Sequence, residues 1–312
     1  MSKLTLLDIA KANGSDAVVG LVEENIAYAP EMGVFDSRTI KGTNFRTLIR
    51  TGLPTVGFRN ANGGVTPSKS TYANKLVETY ILSSRIEIDK AVLASSEDGP
   101  EAVKAREASG VMEAAMRWIG GQIFYGTGKD AKGFPGFKAL VDSSMDVDAT
   151  GSTASTGSSV WAVKFGPQFV QLVMGMGAAF TLGDFRDESI SDANGAKLPG
   201  EVADLMAWVG LSMQNKYSIG RIRDLTADNG KGLTDSLMAD LAAKFPTGIV
   251  PDVYFMSRRS RSQLQKSRTV TLFGQGTTRA NQPAIAPLPT EYDGVPIIAT
   301  DSITNTEELD LA

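Results

Sequence analysis

The sequence predicts an α+β protein, and three features carry that prediction. Residues 45–88 are strand-like on both sides of a glycine-rich stretch, which predicts a long β-hairpin. Residues 99–124 have the apolar spacing of one long amphipathic helix. Residues 160–213 return to a strand-like pattern, and a compact helix and strand region follows them. Strands and helices in separate stretches of one chain are typical of the α+β class.

The hairpin is preceded by residues 1–42, which mix a short apolar stretch with glycine and proline and are predicted to form an arm. Residues 45–51 and 56–59 form the outgoing side of the hairpin, and residues 60–64, Asn-Ala-Asn-Gly-Gly, form its tip. Residues 71–88 form the returning side. Polar and apolar side chains alternate there, which predicts a strand with one face toward water.

The long helix is predicted from its start signals and its apolar stripe. Asp98 is a candidate N-cap, Pro100 suits the first turn, and Glu101 complements the positive end of the helix dipole. The stripe recurs at steps of three or four residues and comprises Val103, Ala108, Val111, Met112, Ala115, Ile119 and Ile123. A helix of this length would extend about 35 Å.

The second half of the chain begins with the strand-like residues 160–165, 169–181 and 202–213, with a hairpin turn at Asn194-Gly195. A helix is predicted from Thr234 to Phe245, because its apolar residues are helically spaced and Pro246 follows. A strand at residues 252–256, a short basic helix capped by Ser257 and a strand at residues 295–300 complete the prediction.

Composition excludes many functions. The 312 residues contain no Cys and no His, so disulfides, thiol chemistry, His-ligated metals and His-dependent catalysis are impossible. The 31 basic and 35 acidic residues give a net charge of −4, which argues against a dedicated nucleic-acid-binding protein. No apolar stretch is long enough to predict a membrane span, and the amino terminus does not resemble a secretory signal, so we expect a cytoplasmic protein.

No motif demands an enzyme or a cofactor. Residues 121–129 resemble a phosphate-binding loop, but Ile123 and Asp130 occupy positions that need Gly and Ser or Thr. Asp142, Asp146 and Asp148 could surround a cation, yet the remaining positions fail the EF-hand pattern. Ser68-Lys69-Ser70 could supply a Ser–Lys pair, but it lies beside the predicted hairpin tip. We therefore predict no catalytic residue, no cofactor and no metal.

The order of arm, hairpin, long helix, β region and α/β region resembles the Hong Kong 97-type capsid fold. Residues 123–126 and 133–137 resemble the end of the long "spine" helix in a podovirus-like family of tailed-phage major capsid proteins. Residues 160–167 resemble that family's S-x-x-x-V-x-W-G strand, with Phe165 in place of Trp. Residues 192–195, 208–211 and 217–222 resemble its later hairpin and strand.

The resemblance implies a division into an N-terminal arm (1–42), an extended hairpin loop (43–90), a peripheral domain with the spine helix and a β-sheet (91–226), an axial domain (227–300) and a C-terminal tail (301–312). It also suggests a permuted connectivity, because the helix and strand that resemble the axial domain follow the β region. The implied function is a shell subunit of the phage head that encloses double-stranded DNA, assembled in the host cytoplasm.

The implied partners are other copies of the chain in pentamers and hexamers, with scaffolding, cement or portal proteins, DNA held only weakly, and no membrane. The predicted inter-subunit contacts are basic residues of the hairpin and of the short basic helix: Arg46, Arg50, Arg59, Lys69, Lys75, Arg258, Arg259 and Arg261. Two alternatives remain at this point. One is a cellular cargo shell related to encapsulins, and the other is a magnesium–carboxylate hydrolase.

Overall fold

The computed structural model describes residues 20–21, 24–177, 180–274 and 286–310, except for the side chains of residues 269–274. The helices within these ranges are α1 (Lys90–Ser95), α2 (Pro100–Tyr125), α3 (Phe137–Leu140), α4 (Asp235–Ala243) and α5 (Arg258–Gly274). The strands are β1 (Ser37–Thr39), β2 (Asn44–Gly52), β3 (Thr71–Glu78), β4 (Tyr80–Asp89), β5 (Asp146–Asp148), β6 (Ser158–Val163), β7 (Val170–Met174), β8 (Thr181–Leu182), β9 (Arg186–Ser191), β10 (Lys197–Met213), β11 (Ile219–Leu225), β12 (Val253–Met256), β13 (Glu291–Tyr292) and β14 (Val295–Ala299).

The first sheet is organised by β10, a strand of 17 residues. It has the strand order β1-β7-β10-β4, with β8 and β9 also paired to β10. Antiparallel pairing of β10 with β4 runs from Gly200 to Val209. Within the described part of the chain β4 pairs only with β10, so it forms an edge of this sheet.

Helix α2 packs on this sheet through the predicted apolar stripe. Met112, Met116 and Ile119 are almost completely buried, together with Leu205 and Val209 of β10. The predicted bounds of the helix are within one residue of the observed ones. The prediction for Asp98 was wrong: the N-cap is Gly99, at a φ of 85°, and the Asp98 carboxylate pairs instead with Arg106 at 2.9 Å.

The second sheet has the order β13-β14-β12-β6-β11-β5, and helices α4 and α5 pack against it. The chain enters this sheet through β5 and β6, crosses to the first sheet for β7 to β10, and returns through β11. The strand-like residues 160–213 are therefore shared between the two sheets. Helix α4 begins after Thr234, close to the predicted start, and the Thr234 side chain caps it by accepting from the Leu237 N–H. The Ser257 hydroxyl oxygen accepts from the Ser260 N–H at the start of α5, also as predicted.

The predicted hairpin consists of β2 and β3, paired antiparallel from Asn44–Glu78 to Gly52–Thr71. The predicted strand at residues 56–59 was wrong, because residues 53–70 contain no strand. Pro54 and Gly57 interrupt this stretch, and proline removes a donor that a ladder needs. The returning side consists of two strands, β3 and β4, instead of the single strand predicted. At Thr79, whose N–H donates to the Thr43 carbonyl, the chain ends its pairing with β2, and β4 then pairs with β10.

The predicted arm contributes to the core where it is described. Met32 and Phe35 are fully buried, and β1 pairs in parallel with β7. Residues 1–19 lie outside the described residues, as do residues 311 and 312 of the predicted C-terminal tail. No helix in the described ranges is both long enough and apolar enough to span a membrane.

Candidate functional site

The hairpin presents one face that its own chain leaves uncovered. The register pairs Arg46 with Leu76, Leu48 with Asn74, and Arg50 with Tyr72. Since directly paired residues share a face, these six side chains form one surface. Leu48 is 60% exposed and Tyr72 is 56% exposed. A face that combines exposed apolar side chains with arginine is typical of a protein–protein contact.

The opposite face of the hairpin packs on the body near its base. The Lys75 Nζ donates to the Met213 carbonyl oxygen at 3.0 Å, at the end of β10. Burial lowers the pKa of Lys75, because the charged form loses water. Arg38 lies over the Phe45 ring at 4.5 Å from its centroid. These contacts fix the direction in which the hairpin projects.

Residues 53–70 form the loop that joins β2 to β3, and they contain no strand. In residues 53–59, no backbone N–H donates to another described backbone group. Val56 is 91% exposed and Phe58 is fully exposed. The Ser68 hydroxyl donates to the Thr55 carbonyl at 3.0 Å, which ties the two sides of the loop together. The result is an exposed segment with three apolar side chains, Leu53, Val56 and Phe58, whose only backbone hydrogen bond with another described residue is this one.

The structure places the predicted contact residues in two groups. Arg46, Arg50, Arg59 and Lys69 are exposed on the hairpin and form no ion pair with another described residue, and Lys75 lies at its base. Arg258, Arg259 and Arg261 lie on α5, beside the second sheet.

The α5 arginines differ in their surroundings. Arg258 is exposed and pairs with Asp301 at 3.3 Å. The Arg259 guanidinium donates to carbonyl oxygens of its own chain at Thr156, Leu225 and Asn305. Arg259 therefore ties together three segments of one subunit, and we do not retain it as an inter-subunit contact. Arg261 is partly buried.

Sequence reasoning missed a groove between α2 and the edge strand β4. Its volume is about 500 Å³, and β4 residues 80–84 line one side of it. Gly110, Ala114 and Trp118 lie on the helical side. The small residues at positions 110 and 114, four apart on one helix face, were the available signal. Leu205 and Val209 of β10 also line the groove, so the face of the sheet lies opposite these residues, and no local pattern could reveal that packing.

Two further observations concern the whole chain. The family model of the Major capsid protein GP7 matches residues 17–309. The chain belongs to this family. It is a major capsid protein, a subunit of the head shell of a tailed phage, as the resemblance predicted. No curated protein matches the chain at a significant level.

Solved structures place the capsid protein among known folds. A structure of bacteriophage Epsilon15 is similar to it with a TM-score of 0.67 and 20% sequence identity, over 88% of each chain. The bacteriophage JBD30 capsid has a TM-score of 0.48 and 7% identity, over 85% of this chain and 88% of that chain. An encapsulin complex from Synechococcus elongatus has a TM-score of 0.44 and 5% identity, over 64% of this chain and 88% of that chain. The first likeness confirms the predicted Hong Kong 97-type fold, and the other two are too remote to bear on function.

Proposed function

We propose that the capsid protein assembles in the host cytoplasm into a closed icosahedral shell around double-stranded phage DNA, with rings of five and six copies, and that its hairpin lies across a neighbouring copy. The observation that carries the hairpin's role is its uncovered apolar surface. Seven of the chain's large exposed apolar residues lie between Leu48 and Leu76. Exposing these side chains to water does not stabilise a single subunit. Covering them with a neighbouring copy would remove apolar surface from water and stabilise the assembly.

Burial of these apolar side chains would contribute enough free energy for a stable contact between subunits. Complete burial of one large apolar side chain contributes about 1.5–3 kcal/mol. Covering even three of the seven would offset a substantial part of the cost of association, which is on the order of 4–15 kcal/mol. Each subunit of a shell has several neighbours, so these contacts accumulate over the assembly.

The exposed cations give the contact its orientation. On the hairpin, Arg46, Arg50 and Lys69 are exposed, as is Arg59, whose guanidinium also donates to the Gly63 carbonyl, and these four could meet acidic surfaces of a neighbour. On α5, Arg258 is exposed but paired with Asp301, and Arg261 is partly buried. Electrostatic complementarity of this kind contributes to the choice of register and to the rate of association more than to affinity. The overall charge of −4 favours a shell that encloses DNA through weak contacts rather than one that binds DNA tightly.

The remaining partners follow from the same proposal. Scaffolding, cement or portal proteins would contact the outer or inner surface of the shell, and no membrane is involved. We propose a structural role, without catalysis, metal or cofactor, because the chain has no His and no Cys and the motifs that resemble catalytic or metal sites are incomplete. Within residues 121–129, which resemble a phosphate-binding loop, the Gln122 amide donates to the Phe134 carbonyl at 2.7 Å and so holds the following loop against α2.

The test is assembly of the purified protein, followed by sedimentation velocity and negative-stain microscopy. We expect closed shells of uniform diameter. A protein that remains monomeric under every assembly condition would refute the proposal. Particles isolated from infected cells should contain DNA, whereas a co-packaged enzyme in its place would indicate a cellular cargo shell.

A further inference from the structure

The dipeptide Asn-Gly occurs at residues 62–63, 194–195 and 229–230 of the described chain, and once more at residues 13–14, outside the described residues. The peptide nitrogen that follows an asparagine can attack the side-chain amide of that asparagine. Glycine permits this attack most readily, because it has no side chain to obstruct the approach. The nitrogen must first lose its proton, so the hydrogen bond that its N–H makes decides whether the attack occurs.

In two of the three described dipeptides the glycine N–H closes a β-turn. The Gly63 N–H donates to the Asn60 carbonyl at 3.0 Å. The Gly195 N–H donates to the Asp192 carbonyl at 3.1 Å. Each glycine is thus the fourth residue of its turn, the position whose N–H makes the closing bond. Both nitrogens are held with their protons in the folded protein.

The third dipeptide occupies a different position in its turn. The turn at residues 228–231 is closed by the Lys231 N–H, which donates to the Asp228 carbonyl at 3.1 Å. Gly230 is therefore the third residue, and its φ of 75° is the value that a type II turn requires there. Asn229 and Gly230 are both exposed. Neither the Gly230 N–H nor the Asn229 side chain bonds another described residue.

We propose that Asn229 is a site of spontaneous covalent modification, at which the Gly230 nitrogen closes a cyclic imide on the Asn229 side chain. The nitrogen loses its proton and bonds to the Asn229 Cγ, and the Cγ–Nδ2 bond breaks to release ammonia. Water then adds to one of the two ring carbonyl carbons and opens the ring, which leaves aspartate or isoaspartate at position 229. Either product replaces a neutral amide with a carboxylate. The reaction requires only the turn and water, so the inference does not depend on the proposed shell function.

The new carboxylate would lie beside a carboxylate that joins two loops. Asp228 accepts from the Thr153 hydroxyl at 2.7 Å and from the Thr226 hydroxyl at 2.8 Å. It also accepts from the backbone N–H groups of Ser152 and Thr153. These hydrogen bonds, that of the Thr153 hydroxyl first, hold the pKa of Asp228 well below its ordinary value. A second negative charge next to Asp228 repels it, and isoaspartate also lengthens the turn by one methylene. Both effects would loosen the attachment of the loop after β5 to the loop after β11.

Peptide mass spectrometry of the full-length protein tests the proposal, because trypsin separates the three sites. They fall in the peptides 60–69, 187–197 and 224–231. During incubation at mildly alkaline pH, which promotes loss of the amide proton, we expect the modified fraction at Asn229 to rise several-fold faster than that at Asn62 or Asn194. In urea this difference should largely disappear, because only the folded turns distinguish the three sites. An unmodified Asn229 in the folded protein, or equal rates at the three sites before unfolding, would overturn the inference.

The Asn229→Gln variant is the matched control. A five-membered ring cannot form from glutamine, so the signal in peptide 224–231 should be lost, while the other two peptides keep theirs. A signal that persists would place the reaction at Asp228 and contradict the assignment. The Asn229→Asp variant reproduces the added charge, and its thermal midpoint should lie below that of Asn229→Gln. Equal midpoints for these two variants would overturn the proposed effect of the charge on Asp228.

Discussion

The side chain of Glu31 is a buried carboxyl group at the junction of three segments. It is completely inaccessible to solvent, and Gly120 of α2 leaves the space that it occupies. Its Oε1 accepts from the Ser302 hydroxyl, and its Oε2 has no partner among the described residues. Burial raises the pKa of Glu31 above its ordinary value, and the nearby charge of Asp301 acts in the same direction.

This arrangement predicts an unusual pH dependence of stability. The folded state binds the Glu31 proton more tightly than the unfolded state does, so Glu31 lowers stability above its folded pKa. That penalty is relieved as pH falls through the folded pKa toward the unfolded value. The Glu31→Gln variant should lose this component. Denaturant titrations of both proteins from pH 4 to 8 should show the parent losing stability relative to the variant as pH rises. A constant difference across this range would contradict the prediction.

Arg221 is a buried cation with several partners. Its guanidinium bonds to Asp310 at 2.7 Å and to Glu307 at 3.3 Å, and it lies 5.2 Å from the Trp161 ring centroid. Glu307 also accepts from the Tyr125 hydroxyl at 2.7 Å. The C-terminal segment is thereby fixed to α2 and to the second sheet.

Removal of Arg221 should be costly because Glu307 would remain as an unpaired buried charge. We expect Arg221→Met to lower the free energy of unfolding by about 3–5 kcal/mol. The matched control is Arg258→Met, whose exposed pair with Asp301 should contribute less than about 1 kcal/mol. Chemical denaturation measures both, and equal losses would contradict this assignment.

At the scale of elements, the end of α2 depends on a close backbone crossing. Gly126 has a φ of 54° and a ψ of −126°, and a Cβ there would lie 2.1 Å from the Gly136 nitrogen. Gly126→Ala should therefore destabilise the subunit by more than about 2 kcal/mol. Gly128→Ala is the control, since nothing lies within 4 Å of its Cβ position. Similar thermal midpoints for the two variants would show that the crossing is not required.

Local sequence patterns predicted the positions of helices and strands better than they predicted which strands pair with each other. The start of α2 followed from Pro100, its length from the apolar stripe, and the β9–β10 turn from Asn194-Gly195, where Gly195 has a φ of 84°. Strand β6 is buried at every position, so it has no alternation that could indicate which sheet it joins. Its pairing with β12, about 90 residues away, depends on tertiary packing.

The sequence likewise predicted part of the candidate site and missed the rest. Cations beside a glycine-rich tip indicated an exposed hairpin, and four of the five hairpin cations are exposed. In the sequence, Arg259 could not be distinguished from Arg258 and Arg261. The carbonyl groups that it binds belong to segments far away along the chain. The groove was only partly predictable: Gly110 and Ala114 were visible in the sequence, but the sheet residues opposite them come to α2 only through tertiary packing.

At the scale of the whole molecule, a well-packed body carries a projecting segment that takes no part in its core. Helix α2, both sheets and the buried part of the arm share one apolar cluster around Phe35, Phe124, Trp161 and Phe255. None of residues 53–70 is buried. The subunit can therefore fold without its hairpin tip, whereas the shell is expected to need it.

The most direct measurement is assembly of a variant in which residues 53–70 are replaced by a short glycine–serine turn that preserves β2 and β3. Thermal unfolding provides the control for folding, and its midpoint should be close to that of the parent. Sedimentation velocity should then show closed shells for the parent and only subunits or small oligomers for the variant. Normal shells from the folded variant would contradict the account.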